Sequence, residues 1–503
     1  MQKDVGILAA EIYFPKTYIP QTVMEEHYGF PEKYTKGLGQ MSMAICDGAE
    51  DVVSLSLTVT KRLIERIGLD LTKIGFLEVG SETLVDKSKS VKSHLMVLFE
   101  ECGNFDLAGI DVKSACYGGT AALFNAINWL ESSSCDGRLA LVVAADIATY
   151  LTAATQPTGG AGAVAILLGP NAPLVVDSGL RVCAMRHCYD FYKPVMGSIF
   201  PEVDGKLSIT CYKEAVLSCY RLYREKVEKF TGRKVRVIGD RTKCEFPIDF
   251  VCFHSPFYRL VAKAFGWMVL QDVKTVVNTG GVVPEASTLG SKAKGAENNS
   301  ASELHNGGST DENALVRELA PLANEADSTE ILRSVDEACL SASRALFDLK
   351  VAPGLRISSE VGNMYTASLY ACLISLACSI DHDAFEFKSV RVPEVNLRGR
   401  RVLMFSYGSG YTSSMFSLRI SETADVEAIF GASSHSPFDR LAQRTPITFE
   451  AFNDGLETRE ATLDKAPLDY PMENLKKRFF PGTYYLTHVD EMHRRFYERT
   501  PIP

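Results

Sequence analysis

Residues 112–130, VKSACYGGTAALFNAINWL, set Cys116 between a short extended run and a helical pattern opening on Gly118 and Gly119. The glycines allow close backbone approach. A helix start offers unpaired amides and the positive end of its dipole, which favours thiolate over thiol. The chain has thirteen cysteines, and a cysteine is more often a small buried hydrophobe than a nucleophile. His254 ends the apolar run DFVCFHS, where Ser255 and Pro256 break the strand, and Glu82 follows the buried run IGFLEVG. α/β sheets gather ligands and catalytic groups just past the carboxyl ends of their strands. The alternatives are a structural histidine and a helix-capping carboxylate. Asn363 opens an apolar helical stretch, as a functional amide or as its N-cap. Ser406, Gly408, Ser409 and Gly410 lie in FSYGSGYTSS, a tight hairpin or a backbone cradle. A nucleophile, an acid/base and polarising donors are what acyl transfer and enolate chemistry require.

The elements that must position these groups read as α/β layers. Short apolar runs at VGILAAEIYF, IGFLEVG, LALVVAA, AVAILLG, DFVCFHS and RVLMFSYGSG predict buried strands of a covered sheet. Between them, Leu55, Val59, Leu63 and Ile67 recur at four-residue steps, and Leu123, Ile127 and Leu130 fall on one helical face. The stretch YTASLYACLISLACSI at 365–380 is too short to span a bilayer and reads as a buried core helix. Residues 283–312 are nearly free of large apolar groups and predict a disordered surface insertion. The tail from 423 to 503 reads as an appended helical layer. No short tandem repeat is visible.

A chain of 503 residues, 46% hydrophobic, can bury a large core over about three units. A net charge of -9 argues against nucleic acid or an anionic membrane as a partner. The odd cysteine count, without paired CxxC modules, points to neither a disulfide framework nor a metal site. The N-terminal stretch MQKDVGILAAEIYFP resembles neither a signal peptide nor a transit peptide, so the cytoplasm is the expected compartment, with the mitochondrion as the alternative.

Longer blocks carry a resemblance. EVGSET, DKSKSVKSHLM, ACYGGTAALFNAINWLESSS, PTGGAGAVAILLGPNAPL, YDFYKP, VDGKLSI, FHSPF, GNMYTASLY and FSYGSG resemble the signature blocks of eukaryotic-type hydroxymethylglutaryl-CoA synthases. The resemblance implies a thiolase-like five-layered αβαβα fold built from two topologically similar halves, residues 1–175 and 176–422, with 423–503 as an extension, in a homodimer. It implies condensation of acetyl-CoA with acetoacetyl-CoA and water to 3-hydroxy-3-methylglutaryl-CoA, in the mevalonate route to isoprenoids and sterols. Both acyl-CoA molecules are then substrates, and no cofactor is expected.

By the same resemblance, Cys116 is the acetyl-accepting nucleophile, Glu82 the general acid/base and His254 the holder of acetoacetyl-CoA. Tyr150, Thr158, Asp190, Ser208, Asn363, Tyr365 and Ser409 line the acyl pocket, while Arg259 and Lys263 meet CoA. Arg259 stands where the family commonly has lysine, the Phe-Pro of YGFPEKY replaces a frequent Asp-Ala, and Ala154 replaces a polar residue before PTGG. The rival within the superfamily is a ketoacyl synthase III-like condensing enzyme, which would not need Glu82 or DKSKSVK. A degradative thiolase would want a second cysteine where SYGSG stands. Cysteine hydrolases and a non-catalytic acyl-CoA binding protein are the more distant alternatives.

Overall fold

The computed structural model describes residues 4–239, 241, 244–279, 312–328, 330–379, 386–387, 390–391, 396–432 and 436–502. The chain makes two passes through one topology. In the first, β1 (Gly6–Tyr13) leads through α1 (Val52–Ile67) to β2 (Ile74–Gly80). Short β3 (Asp111–Val112) and α2 (Gly118–Glu131) follow, then β4 (Leu139–Ala148) and β5 (Gly160–Gly169). β1 is antiparallel to β5, β5 antiparallel to β4, and β4 parallel to β2.

The second pass begins with β6 (Leu174–Val176) and β7 (Val182–Met185) and a small hairpin of β8 (Phe191–Tyr192) with β9 (Glu202–Val203). It continues through α3 (Gly205–Thr231), β10 (Phe250–Phe253), α4 (Tyr258–Asn278), α5 (Ser368–Cys378), β11 (Arg401–Gly408) and β12 (Thr412–Ile420). Here β6 and β7 share the place that β1 holds in the first pass. Both are antiparallel to β12, β12 is antiparallel to β11, and β11 is parallel to β10. Thus β2 corresponds to β10, and α2 to α5.

The two halves share hydrogen bonds as well as a core. Leu174 and Val175 pair with Ile7 and Gly6 on one side and with Ile420 and Arg419 on the other, making one ten-stranded sheet. α1 packs on β1, β4 and β5, and α3 on β7, β11 and β12. α2 lies between the two sets of strands. It packs on β2 and β4, while Phe124 meets Phe416 of β12 edge-on at 5.1 Å and Thr120 Oγ1 donates to Ser406 Oγ of β11 at 2.7 Å. α5 touches β1, β10 and β11, and all eleven of its residues are buried. The order of layers is therefore helix, strands, helix, strands, helix: the expected five-layered α/β fold.

Local sequence explains the elements. α1 starts in a capping box, Asp51 accepting from Ser54 N at 2.8 Å and Ser54 Oγ accepting from Asp51 N at 2.9 Å, and it ends at left-handed Gly68. The Ala-, Ser- and Leu-rich stretch Ser368–Cys378 is buried all round as α5 because both of its faces meet strands. No helix among the described residues is long and apolar enough to cross a membrane.

The expected helical tail is only partly helical. It holds α6 (Phe449–Thr462), but β13 (Leu468–Asp469), β14 (Tyr484–Val489) and β15 (Arg495–Arg499) form a three-stranded sheet. The aromatic and β-branched content of YYLTHV favours pleated pairing, and Tyr485 stacks on Phe479 at 5.3 Å. The expected disordered insertion, 283–312, lies outside the described residues except for Glu312, which begins a helix, Glu312–Leu319.

Candidate active site

The equivalence of the two passes brings the expected residues to corresponding places. Glu82 stands two residues past β2 and His254 one residue past β10, at the carboxyl ends of corresponding strands. Cys116 precedes α2, while Asn363 and Tyr365 precede α5. Ala115 and Tyr365 each sit three residues before their helix with left-handed φ of 46° and 44°. Non-glycine residues rarely adopt this conformation, and surrounding structure must enforce it. Backbone contact does so: a Cβ on Gly80 would lie 2.5 Å from Gly119 N, and one on Gly119 would lie 2.5 Å from Thr366 O. The glycines thereby bring the two elbows together.

Cys116 Sγ donates to Glu82 Oε1 at 3.5 Å. The thiol is partly buried and packs with Ala148, Tyr150, Phe191 and Tyr365. Burial, followed by the Glu82 and Asp146 carboxylates, pushes its pKa well above the usual thiol value. This corrects the expectation of a thiolate favoured by the helix start. The helix begins only at Gly118, and burial together with the Glu82 and Asp146 side chains outweighs its dipole, so Cys116 rests as a thiol beside Glu82. Burial also raises the pKa of Glu82. Lys193 opposes that rise, its Nζ 3.6 Å from Oε2, and Asp146 adds to it.

The sequence reading passed over both Asp146 and Lys193. Asp146, near the end of β4, is fully buried. Its Oδ1 accepts from Ser81 Oγ at 3.0 Å, Glu82 N at 2.9 Å, Thr83 N at 2.9 Å and Thr83 Oγ1 at 2.8 Å, while Oδ2 accepts from Thr366 N at 3.0 Å. One carboxylate thus fixes the loop carrying Glu82 and ties it to the elbow before α5. Its sequence signal was a charge inside the apolar run LALVVAADIA. Buried donors left unpaired cost about 1–3 kcal/mol each. Asp146→Ala is therefore expected to lower stability by about 3 kcal/mol or more, measured by urea unfolding, with Asp146→Asn intermediate.

His254 is buried, its amide donating to Phe405 O at 2.7 Å and its carbonyl accepting from Tyr212 OH at 2.6 Å. Nδ1 has no hydrogen-bond partner among the described residues, and burial lowers the pKa to about 3. The ring is neutral at physiological pH and offers a nitrogen to whatever enters. No hydrogen bond joins it to Cys116 or Glu82 among the described residues.

The remaining expected residues are placed around this pair and on α4. Tyr150 and Tyr365 join Phe191 in an aromatic cluster beside Cys116, with centroids 5.9–6.5 Å apart. Asn363 is not the N-cap of α5, which begins at Ser368; its Oδ1 instead accepts from Tyr365 N at 2.9 Å and holds the elbow. Thr158 Oγ1 donates to Thr155 O at 2.7 Å.

Asp190 and Ser208 support the loop containing Ser409. Asp190 accepts from Tyr407 OH and Gly410 N, each at 2.8 Å, and Ser208 Oγ donates to Asp190 O at 3.0 Å. Cys188 and Cys211 lie close enough to Asp190 for a shared metal, but both Asp190 oxygens are already committed to that loop. Arg259 and Lys263 stand in the first two turns of α4. Arg259 lines a small groove with Tyr258, Arg344 and Phe347, and Lys263 Nζ pairs with Asp336 at 2.9 Å.

Known proteins match the whole chain. The family model described as hydroxymethylglutaryl-coenzyme A synthase N terminal matches residues 1–173, and its C-terminal counterpart matches 174–291 and 298–500. The chain is 43% identical to the cytoplasmic hydroxymethylglutaryl-CoA synthase of Gallus gallus, covering 99% of this chain and 88% of that protein. It is 42% identical to the mitochondrial one of Homo sapiens, covering 99% and 90%. Among solved structures, MvaS in complex with 3-hydroxy-3-methylglutaryl coenzyme A superposes with a TM-score of 0.74 at 30% identity, over 99% of this chain and 100% of that one. The elbow, its paired carboxylate and these full-length matches agree: the chain belongs to the hydroxymethylglutaryl-CoA synthase family.

Proposed function

We propose that this enzyme condenses acetyl-CoA with acetoacetyl-CoA and water, giving 3-hydroxy-3-methylglutaryl-CoA and CoA for the mevalonate route, through an acetyl group carried on Cys116. The observation that supports the chemistry most directly is the 3.5 Å contact between the Cys116 thiol and the Glu82 carboxylate at the meeting of the two elbows. Cys116 Sγ attacks the thioester carbonyl of acetyl-CoA, the Sγ–C bond forms, the C–S bond to CoA breaks, and the thiol proton ends on CoA. Glu82 then takes a proton from the acetyl methyl. The resulting enolate carbon adds to the keto carbon of acetoacetyl-CoA, and the new alkoxide takes up a proton. Water cleaves the thioester to Cys116, releasing the product and restoring the thiol.

Within this scheme His254 meets the acetoacetyl oxygens as a neutral imidazole. The Gly410 and Tyr411 amides are committed, to Asp190 Oδ1 at 2.8 Å and Arg186 O at 2.7 Å, so the oxyanion role in that loop falls to Ser409. Tyr150 and Tyr365 wall the acyl site, with Thr158, Asp190, Ser208 and Asn363 supporting it. Arg259 and Lys263 receive CoA phosphates, Lys263 exchanging Asp336 for the ligand. Both substrates are acyl-CoA molecules, and the scheme uses no other cofactor.

We read 1–175 and 176–422 as the two halves of a subunit that pairs with a second copy. The exposed Met185, Tyr189, Val195 and Met196 on one segment suit such an interface. All thirteen cysteines are free thiols, which suits a reducing compartment such as the cytoplasm; the curated relatives include cytoplasmic and mitochondrial proteins.

His254→Ala is expected to raise the KM for acetoacetyl-CoA about tenfold or more while acetylation by acetyl-CoA persists. With a folded pKa of about 3, His254 contributes no limb to the rate profile between about pH 5 and 9. An unfolded imidazole binds a proton below its ordinary pKa of 6.5 and the folded one only near 3, so burial of His254 costs stability increasingly as pH falls through that window. The activity itself is tested by following acetoacetyl-CoA consumption with and without acetyl-CoA and identifying the product by mass. Consumption that ignores acetyl-CoA contradicts the assignment.

A further inference from the structure

The site gathers negative charge where water is scarce. Glu82 and Asp146 are buried carboxylates joined through the Glu82 amide, and Cys116 must carry an acyl group beside them. The side chain of Glu82 is only 6% exposed. The groups facing it are Cys116 from the elbow before α2, Asp146 from β4, Lys193 from the loop after β8, and the phenols of Tyr150 and Tyr365. Of these only Lys193 is cationic.

Lys193 does not reach this position as a loose surface chain. It directly follows β8, whose Phe191 and Tyr192 pair with Val203 and Glu202. Its ammonium lies 4.8 Å from the Tyr365 ring centroid and 5.7 Å from that of Phe191. Cations are held over aromatic faces at such distances. The two rings themselves meet edge-on at 5.9 Å. The aromatic cluster beside Cys116 therefore also seats the ammonium, which approaches Glu82 Oε2 while the thiol occupies Oε1.

We infer that Lys193 is a positioning residue for the condensation step, keeping Glu82 ionised and its Oε1 turned to the acetyl-bearing sulfur. This rests on the reading of Glu82 as the base. Burial, and after it Asp146, drive Glu82 toward its neutral form; the charge of Lys193 opposes them most, and the hydrogen bond from Cys116 adds to that opposition. Removing the ammonium raises the carboxyl pKa further, so at any pH below it less carboxylate is available to accept the methyl proton. The acid limb of the rate profile must then move to higher pH. Acetylation of Cys116 requires no carboxylate on Glu82 and is spared.

The test measures acetyl-enzyme formation from acetyl-CoA alone, and kcat and KM for condensation from pH 5 to 9, for wild type, Lys193→Met, Lys193→Gln and Lys193→Arg. The expected result is that the two neutral variants acetylate Cys116, keep the KM for acetoacetyl-CoA within about threefold, and shift the acid limb of kcat upward by roughly one pH unit, a tenfold loss at pH below the limb. Lys193→Arg, which keeps the charge, restores the limb. A uniform fall in kcat at every pH with the limb unmoved overturns the inference, as does failure of both neutral variants to fold, which makes Lys193 a folding residue. If wild-type protein forms no acetyl-Cys116, the proposed reaction fails and not merely the role of Lys193.

Discussion

Cys116→Ala is expected to abolish acetyl-enzyme formation and to lower condensation by roughly 10⁴-fold or more, the scale on which losing an attacking nucleophile acts. Among the described residues, the thiol is the nucleophile on which the proposed acyl bond forms. Its neighbours, Glu82, Lys193 and the tyrosines, act on protons and charge. The fold should survive. The substitution deletes one sulfur from a partly buried site, at about 1 kcal/mol, while Ala115, Gly118 and Gly119 still set the elbow. Burst labelling by acetyl-CoA, alongside a thermal melt, checks both halves of the expectation. Retained burst labelling would refute the role of Cys116.

Glu82→Ala separates the two chemical steps. It is expected to acetylate and then condense about 10²–10⁴-fold more slowly, the usual contribution of a positioned acid/base. Acetylation survives for an electrostatic reason. The Glu82 carboxylate is among the groups that push the Cys116 pKa up, both by its charge and by accepting the thiol's hydrogen bond. Removing it lowers that pKa and makes the thiolate easier to form. Asp146 keeps its bonds to the backbone of residues 82 and 83, so the loop stays in place and only the carboxylate is lost. Single-turnover acetylation and condensation from pre-acetylated enzyme measure the steps separately. Lost acetylation with intact condensation would reverse the assignment.

The positions of Cys116, Glu82 and His254 were legible because strand ends and helix starts leave strong marks: an apolar run, a glycine pair, a proline break. The same marks gave the buried strands and core helices, α5 included. What was illegible depends on distance in the chain. Asp146 lies 64 residues from the Glu82 amide it accepts and 220 from Thr366, and neither link has a periodic trace in the sequence. Lys193 sits in YDFYKP, whose two-residue strand β8 is too short to leave a pattern in the sequence, and it reaches Glu82 only through the fold. The thiol's protonation state went wrong for a related reason. A helix start is visible locally, but the burial that outweighs it, and the Glu82 and Asp146 carboxylates that add to it, come from segments distant in the chain. The tail was misjudged because its strands are short and charged residues interrupt their alternation, masking the pairing of β14 with β15.

The measurement that bears most directly on this account is mass spectrometry of the intact protein and its peptides after exposure to acetyl-CoA alone. One acetyl group per chain, on the peptide containing Cys116 and discharged on adding acetoacetyl-CoA, is the expected result. An unmodified Cys116 in protein that still makes 3-hydroxy-3-methylglutaryl-CoA would contradict it.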